Sequence, residues 1–204
     1  MSHARAGGIA GAAVTALLVA FAPAAATHTR LLRPEEKSTV LLGAPIAPFR
    51  LIDQDGRPFD LAGTRGKIRL VSFFFTGCRE SCPLVIERLR SATARLTPAE
   101  RAGVHLVSIT VDPAHDDPAT LRRYASERAI DREGWSLLTG GADEILEAGK
   151  RFQAAFRPRA GAGIDHTATV YLLDGDAVLK RAYPIAGLAG DAIVHDVRTL
   201  LGTR

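Results

Sequence analysis

Residues 68–83 read IRLVSFFFTGCRESCP, and the fold turns on how this stretch is read. Ile68 to Phe75 is an almost unbroken apolar run, the pattern of a strand buried on both faces. Gly77 then releases the chain into a short loop, and Pro83 suits the first turn of a helix. Proline disfavours helical geometry in the residue before it, which places Cys82 at or near the N-cap. A thiol there feels the positive end of the helix dipole, with Arg79 close by, and both favour the thiolate. The thiolate is the form that attacks disulfides and binds soft metals.

Working outward, Val85, Leu89, Ala92 and Leu96 form one apolar stripe along the helix after Pro83, and Glu87, Arg88, Arg90 and Arg95 fall largely elsewhere. Thr97, Pro98 and Glu100 make a capping box for a brief helical turn closed by Gly103. VHLVSITV (104–111) is a second buried strand ending at Asp112-Pro113. Strand, helix and strand in this order predict a βαβ unit with parallel strands. Upstream, FRLIDQDGRPFDL (49–61) reads as a hairpin turning at Asp55-Gly56. Downstream come a helix from Asp117-Pro118 to about Ala129, a short strand Trp135 to Thr139, and a helix Asp143 to Phe156 whose core residues are Ile145, Leu146, Phe152 and Phe156. A Gly-containing loop, Pro158 to Ile164, leads to a strand Thr167 to Leu173 opened by Asp165-His166. A tight turn at Asp174-Gly175 pairs it with Ala177 to Tyr183, and a last helix spans about Leu188 to Leu201. The expected class is α/β: a thioredoxin-like α/β/α sandwich with a mixed central sheet and an N-terminal hairpin. The cysteine loop lies at the C-terminal end of a central strand, where open α/β sheets place their sites.

Among 204 residues, 47% are hydrophobic and 24% charged, the balance of a globular protein with room for one domain and a leader. The formal net charge is +4, but Lys and Arg are scattered among acids, which excludes a nucleic-acid surface. Residues 1–26 form a signal peptide or membrane anchor: a polar start, an uncharged stretch, and Ala24 to Ala26 as an A-x-A-type cleavage site. Residues 27–42 are a tether, and 43–204 the domain. Either form of the leader puts the body outside the cytoplasm, periplasmic or on the outer face of the inner membrane, as a monomer that meets the membrane only through that segment.

Cys78 and Cys82 are the chain's only cysteines. In an exported protein two cysteines form a structural disulfide by default. The loop they would close is tiny and removes little unfolded-state entropy, so chemistry explains the pair better than stability does. Two thiolates are soft ligands suited to Cu(I), and an added imidazole lets such a site hold Cu(II) as well. Thioredoxin-type oxidoreductases use Cys-x-x-Cys, and the extra residue here argues for metal. Of the histidines, His166 opens an apolar strand, where a lone histidine is more often a hydrogen-bonded structural residue than a ligand. His105 and His195 read as structural or solvent-facing, and His3 and His28 belong to leader and tether. His115, in the Asp112 to Pro118 loop, reads first as solvent-facing, with an accessory role at the site as the alternative, and Asp112 reads either as bordering the site or as an ordinary turn residue.

At this point the chain resembles the Sco/SenC family, thioredoxin-like proteins that carry copper to the CuA site of cytochrome c oxidase. The matching pieces are FTGCRESCP (75–83), SITVDPAHDDP (108–118), WSLLTG (135–140) and DHTATVYLLD (165–174), in family order. The resemblance implies copper, Cu(I) or Cu(II), held by Cys78, Cys82 and His166; from its position alone, Asp165 reads either as a hydrogen-bonding partner that orients the imidazole or as a loop cap. It implies as partners the CuA-bearing oxidase subunit and a thiol reductant or another copper carrier, and no turnover of a small molecule. The alternatives are a thiol-disulfide oxidoreductase using Cys78 and Cys82 as its redox pair, and a copper or redox sensor. One departure stands out: Arg79 occupies the position where the family usually has proline.

Overall fold

The computed structural model describes Met1 and residues 42–131, 133–158 and 163–202. The leader 1–26 apart from Met1, all of the tether but Leu42, and residues 159–162 of the expected glycine-containing loop lie outside the described residues. Among those described, no helix is long and apolar enough to cross a membrane.

Leu51 and Phe59 face each other across the antiparallel hairpin of β1 (Arg50–Asp53) and β2 (Pro58–Asp60). Gly56 takes a φ of 75° at the turn, a conformation a β-carbon would disfavour. The central strand β3 (Ile68–Phe74) is buried along its whole length, including Arg69 and Ser72. It pairs in parallel with β4 (Val104–Thr110) on one side and antiparallel with β8 (Thr169–Leu173) on the other. Between β3 and β4 run α1 (Ser81–Ala94) and the short α2 (Pro98–Ala102), whose Thr97–Glu100 capping box is present in both directions. α3 (Pro118–Glu127) starts on the Asp117 carboxylate, which accepts from the Thr120 N–H, and leads to β5 (Trp135–Thr139), parallel to β4. The sheet closes with α4 (Ala142–Arg151), β9 (Leu179–Pro184) and α5 (Gly190–Gly202), giving the strand order β2-β1-β5-β4-β3-β8-β9.

Two neighbouring aromatics on β3 show how the sheet is covered on both sides, since successive strand residues point to opposite faces. Phe74 meets Tyr124 of α3 at a ring separation of 5.6 Å, and Phe73 meets Phe152, just past α4, at 5.7 Å. Each fully buried aromatic or aliphatic side chain of this kind contributes roughly 1.5–3 kcal/mol.

Three expectations need correction. α4 ends at Arg151, not Phe156; the chain breaks at Gln153, whose φ is 52°. Leu146, expected in the core, is 43% exposed, because Ile145, Ala148 and Gly149 form the buried face of that turn. Where an irregular loop was expected, Phe156 turns away into a two-stranded antiparallel ribbon, β6 (Phe156–Pro158) with β7 (Ile164–His166). His166 therefore ends β7 and does not open β8.

Candidate functional site

β3 ends at Phe74, and Phe75 to Glu80 form the loop that carries the first cysteine. The Cys78 N–H donates to the Phe75 carbonyl at 3.1 Å, folding the loop back on the strand end. α1 begins at Ser81 with Glu80 as its N-cap, so Cys82 lies within the first turn rather than at the cap. The first-turn N–H groups have no intrahelical partner, which is why Pro83 costs little there. Glu80 supplies no side-chain cap. The Cys82 N–H is directed instead at the Cys78 sulfur, 3.4 Å away. Sulfur thus stands where a cap oxygen would, and the helix dipole acts on Cys78.

This reverses the expected assignment of the thiolate. Burial pushes the Cys78 thiol up, but the Cys82 side chain and the backbone N–H groups of Cys82 and Glu80 outweigh it, and its pKa falls below the ordinary value. Burial pushes the Cys82 thiol well above that value, and the neighbouring Cys78 raises it further. The two sulfurs therefore form an unequal pair: Cys78 loses its proton more readily than an ordinary thiol, and Cys82 less readily.

The β6–β7 ribbon brings the distal histidine to this loop. His166 Nε2 lies 3.5 Å from Cys82 Sγ. Its other nitrogen, Nδ1, faces the Ile164 carbonyl at 3.3 Å, an arrangement in which Nδ1–H donates and Nε2 presents its lone pair toward sulfur. The Phe75 ring meets the imidazole edge-on, with centroids 5.7 Å apart and planes at 80°. Burial lowers the His166 pKa, which keeps the ring neutral. The Ile164 backbone thus sets the ring orientation through Nδ1, and the neighbouring Asp165 acts on the imidazole through its charge. Among the described residues no three His, Cys, Asp or Glu side chains are grouped as a ready metal cluster. The three expected ligands meet in pairs, each pair through Cys82.

Asp116 is a site residue that the sequence reading passed over. It is 1% exposed, yet its carboxylate accepts from the Thr76 N–H at 3.1 Å, the Thr76 hydroxyl at 2.5 Å and the Thr110 hydroxyl at 2.5 Å. It fastens the loop after β4 to the cysteine loop. Only the occurrence of two Thr hydroxyls near an Asp-rich loop hinted at it, and in sequence Asp116 looks like its neighbours Asp112 and Asp117.

Cys78, Arg79, Asp112, His115, Asp165 and His166 line part of one open cleft of about 870 Å³ beside this loop. His105 and His195 lie elsewhere. His105 is half-buried on β4 against Ser136, at 3.0 Å, and His195 is exposed on α5.

A thioredoxin-like scaffold with an unequal dithiol and a neutral imidazole at one sulfur defines a class of soft-metal or dithiol exchange protein. The particular family follows from comparison. The SCO1/SenC profile matches residues 42–202, and the chain belongs to the SCO1/SenC family. It is 30% identical over 162 residues to the SCO1 protein homolog of Bacillus subtilis, covering 78% of this chain and 83% of that one. Yeast Sco1 with copper bound superposes with a TM-score of 0.63 at 29% identity, covering 78% of this chain and 89% of that one. BsSco, a member of the Sco family of cytochrome c oxidase assembly proteins in which a disulfide switch has been identified, superposes at 0.69 with 28% identity, covering 78% and 94%.

Proposed function

We propose that the protein is an exported copper carrier that serves cytochrome c oxidase assembly, holding one copper ion as cargo through Cys78, Cys82 and His166 and delivering it to the CuA-bearing subunit. The observation that carries this reading is the meeting at Cys82 of a second sulfur and a neutral imidazole, at 3.4 Å from the Cys82 N–H and 3.5 Å from its sulfur respectively. The donor set fits the ion. Two thiols favour Cu(I), and an imidazole added to them supports Cu(II). His166 would ligate through Nε2, its ring orientation already set by Ile164 and Phe75. Cys78 is the natural first ligand because its proton is the more easily lost, and Cys82 releases its proton when it joins. An open cleft beside the loop leaves room for a partner to approach and take the ion by stepwise ligand exchange. Copper titration of the reduced chain tests this. Cys78→Ala, Cys82→Ala and His166→Ala should each weaken binding, and unchanged binding in all three would refute it.

The unequal dithiol favours a second reading, reduction of a partner's disulfide. The Cys78 thiolate would attack one sulfur of the target, releasing the other as thiolate, and Cys82 would then displace the mixed disulfide. The target gains two electrons, the Cys78–Cys82 pair is oxidised to a disulfide, and a thiol reductant restores it. His166 touches Cys82 and not Cys78, so His166→Ala should leave the first step, attack by Cys78, intact while weakening copper binding.

A further inference from the structure

The cleft is lined by a second imidazole, besides His166, that the site above does not use. His115 stands in the turn after β4 with Nδ1 at 2.8 and 3.0 Å from the two carboxylate oxygens of Asp112. That pairing fixes the ring with Nδ1 donating to the carboxylate; the imidazole is 79% exposed, and because Asp112 raises its pKa, a metal that binds Nε2 displaces a proton to solvent. A carboxylate behind one nitrogen and an open site before the other is how proteins prepare an imidazole to bind a metal. His115 borders the same cleft as Cys78 and His166.

Its position relative to the cysteines is fixed by the backbone. The N–H groups of His115 and Asp116 both donate to the Asp112 carbonyl, at 3.1 and 3.0 Å, which closes the turn. One residue on, the Asp116 carboxylate grips Thr76 by its N–H and its hydroxyl, two positions before Cys78. The turn that presents His115 and the loop that presents Cys78 are thus bolted together through one buried carboxylate.

We infer that His115 is a relay ligand: copper arriving with a labile carrier binds first to His115 Nε2 at the mouth of the cleft, and passes from there to the Cys78 thiolate. This rests on the copper reading above. The transfer is ligand exchange with no change of oxidation state. A copper–imidazole bond forms as one carrier ligand leaves. The Cys78 sulfur then bonds the ion as the imidazole and the remaining carrier ligands depart, and the Cys82 proton goes to solvent when that sulfur joins. A single imidazole backed by carboxylate binds weakly enough to release the ion to thiolate, which a relay requires.

The test is stopped-flow loading of the reduced full-length chain from Cu(II) glycinate, followed by the thiolate-to-Cu(II) charge-transfer band. His115→Gln should slow loading at least about tenfold, with the final amplitude and stoichiometry of the unaltered chain. His115→Arg keeps a cation for Asp112 but offers no metal donor, so it should be equally slow. His195→Gln, remote on α5, should load at the normal rate. Normal loading by His115→Gln, or by His115→Arg, would overturn the relay while leaving the copper site standing. A chain with all its residues intact that develops no band would overturn the copper reading itself, and the relay with it.

Discussion

Removing one methyl-for-hydroxyl difference beside the cysteine loop isolates what Asp116 does. In Thr76→Val the carboxylate keeps the Thr76 N–H and the Thr110 hydroxyl but loses the hydroxyl that approaches it at 2.5 Å. Asp116 is 1% exposed, so water does not replace the lost donor. A hydrogen bond to a charged acceptor contributes about 1.5–3 kcal/mol, and with a urea slope of about 2 kcal/mol per molar the unfolding midpoint should fall by about 1 M. Thr110→Val removes a bond to the same carboxylate and a further one from the Asp112 N–H, at 3.0 Å, so it should destabilise at least as much. The two variants should part company at the site. Thr76 is in the cysteine loop and Thr110 is at the end of β4, so only Thr76→Val should loosen Cys78, seen as faster alkylation of that thiol under native conditions. Equilibrium urea unfolding and alkylation timed by mass spectrometry measure both. A midpoint shift below about 0.2 M for Thr76→Val, or equal effects of the two variants on Cys78, would refute the bolt.

At neutral pH, iodoacetamide should modify Cys78 before Cys82, since reactivity follows thiolate and only the Cys78 pKa is lowered; peptide mapping that found Cys82 modified first would reverse the assignment. His105 is pushed down to about 4 by burial, with Lys67 and Arg69 adding to it. The unfolded chain therefore binds a proton between its ordinary 6.5 and that value that the folded chain does not, and stability should fall as pH drops through this window, by about 3 kcal/mol at most. His105→Gln should flatten that part of the urea-midpoint profile; an unchanged profile would remove His105 as the cause. Gly149→Ala would drive a β-carbon onto Cε1 of Phe156 and to 2.6 Å from its Cζ. Phe156 lies opposite His166 in the β6–β7 ribbon. Overpacking of about 1–3 kcal/mol should outweigh the helix gain from alanine, and His166 should shift from Cys82, changing the spectrum of the copper-loaded protein; an unaltered spectrum would uncouple the ribbon from the site.

Much of this architecture was legible because it follows from local chemistry. The apolar run 68–75, the Thr97–Glu100 box and the Asp55-Gly56 and Asp174-Gly175 turns each specify a backbone that the fold adopts. What escaped depends on contacts between distant segments. The exchange of thiolate character from Cys82 to Cys78 follows from a sulfur serving as a helix cap, which requires the loop to fold back on Phe75. Leu146 fits an apolar helix pattern, but whether a partner covers that flank of α4 is decided by tertiary packing. The ribbon that carries His166 is only three residues per strand and flanks a glycine-containing stretch, too short for alternation to register. Arg79 is exposed at the cleft, and nothing in the structure explains its place there.

Copper carriage through Cys78, Cys82 and His166 is the central claim, and one measurement meets it most directly: metal analysis of the reduced, purified chain with its visible spectrum after Cu(II) addition, compared with His166→Ala. The expected result is one copper per chain with a thiolate-to-Cu(II) charge-transfer band, and loss of that band in His166→Ala. A chain that takes up no copper, or a band of equal strength in His166→Ala, would contradict it.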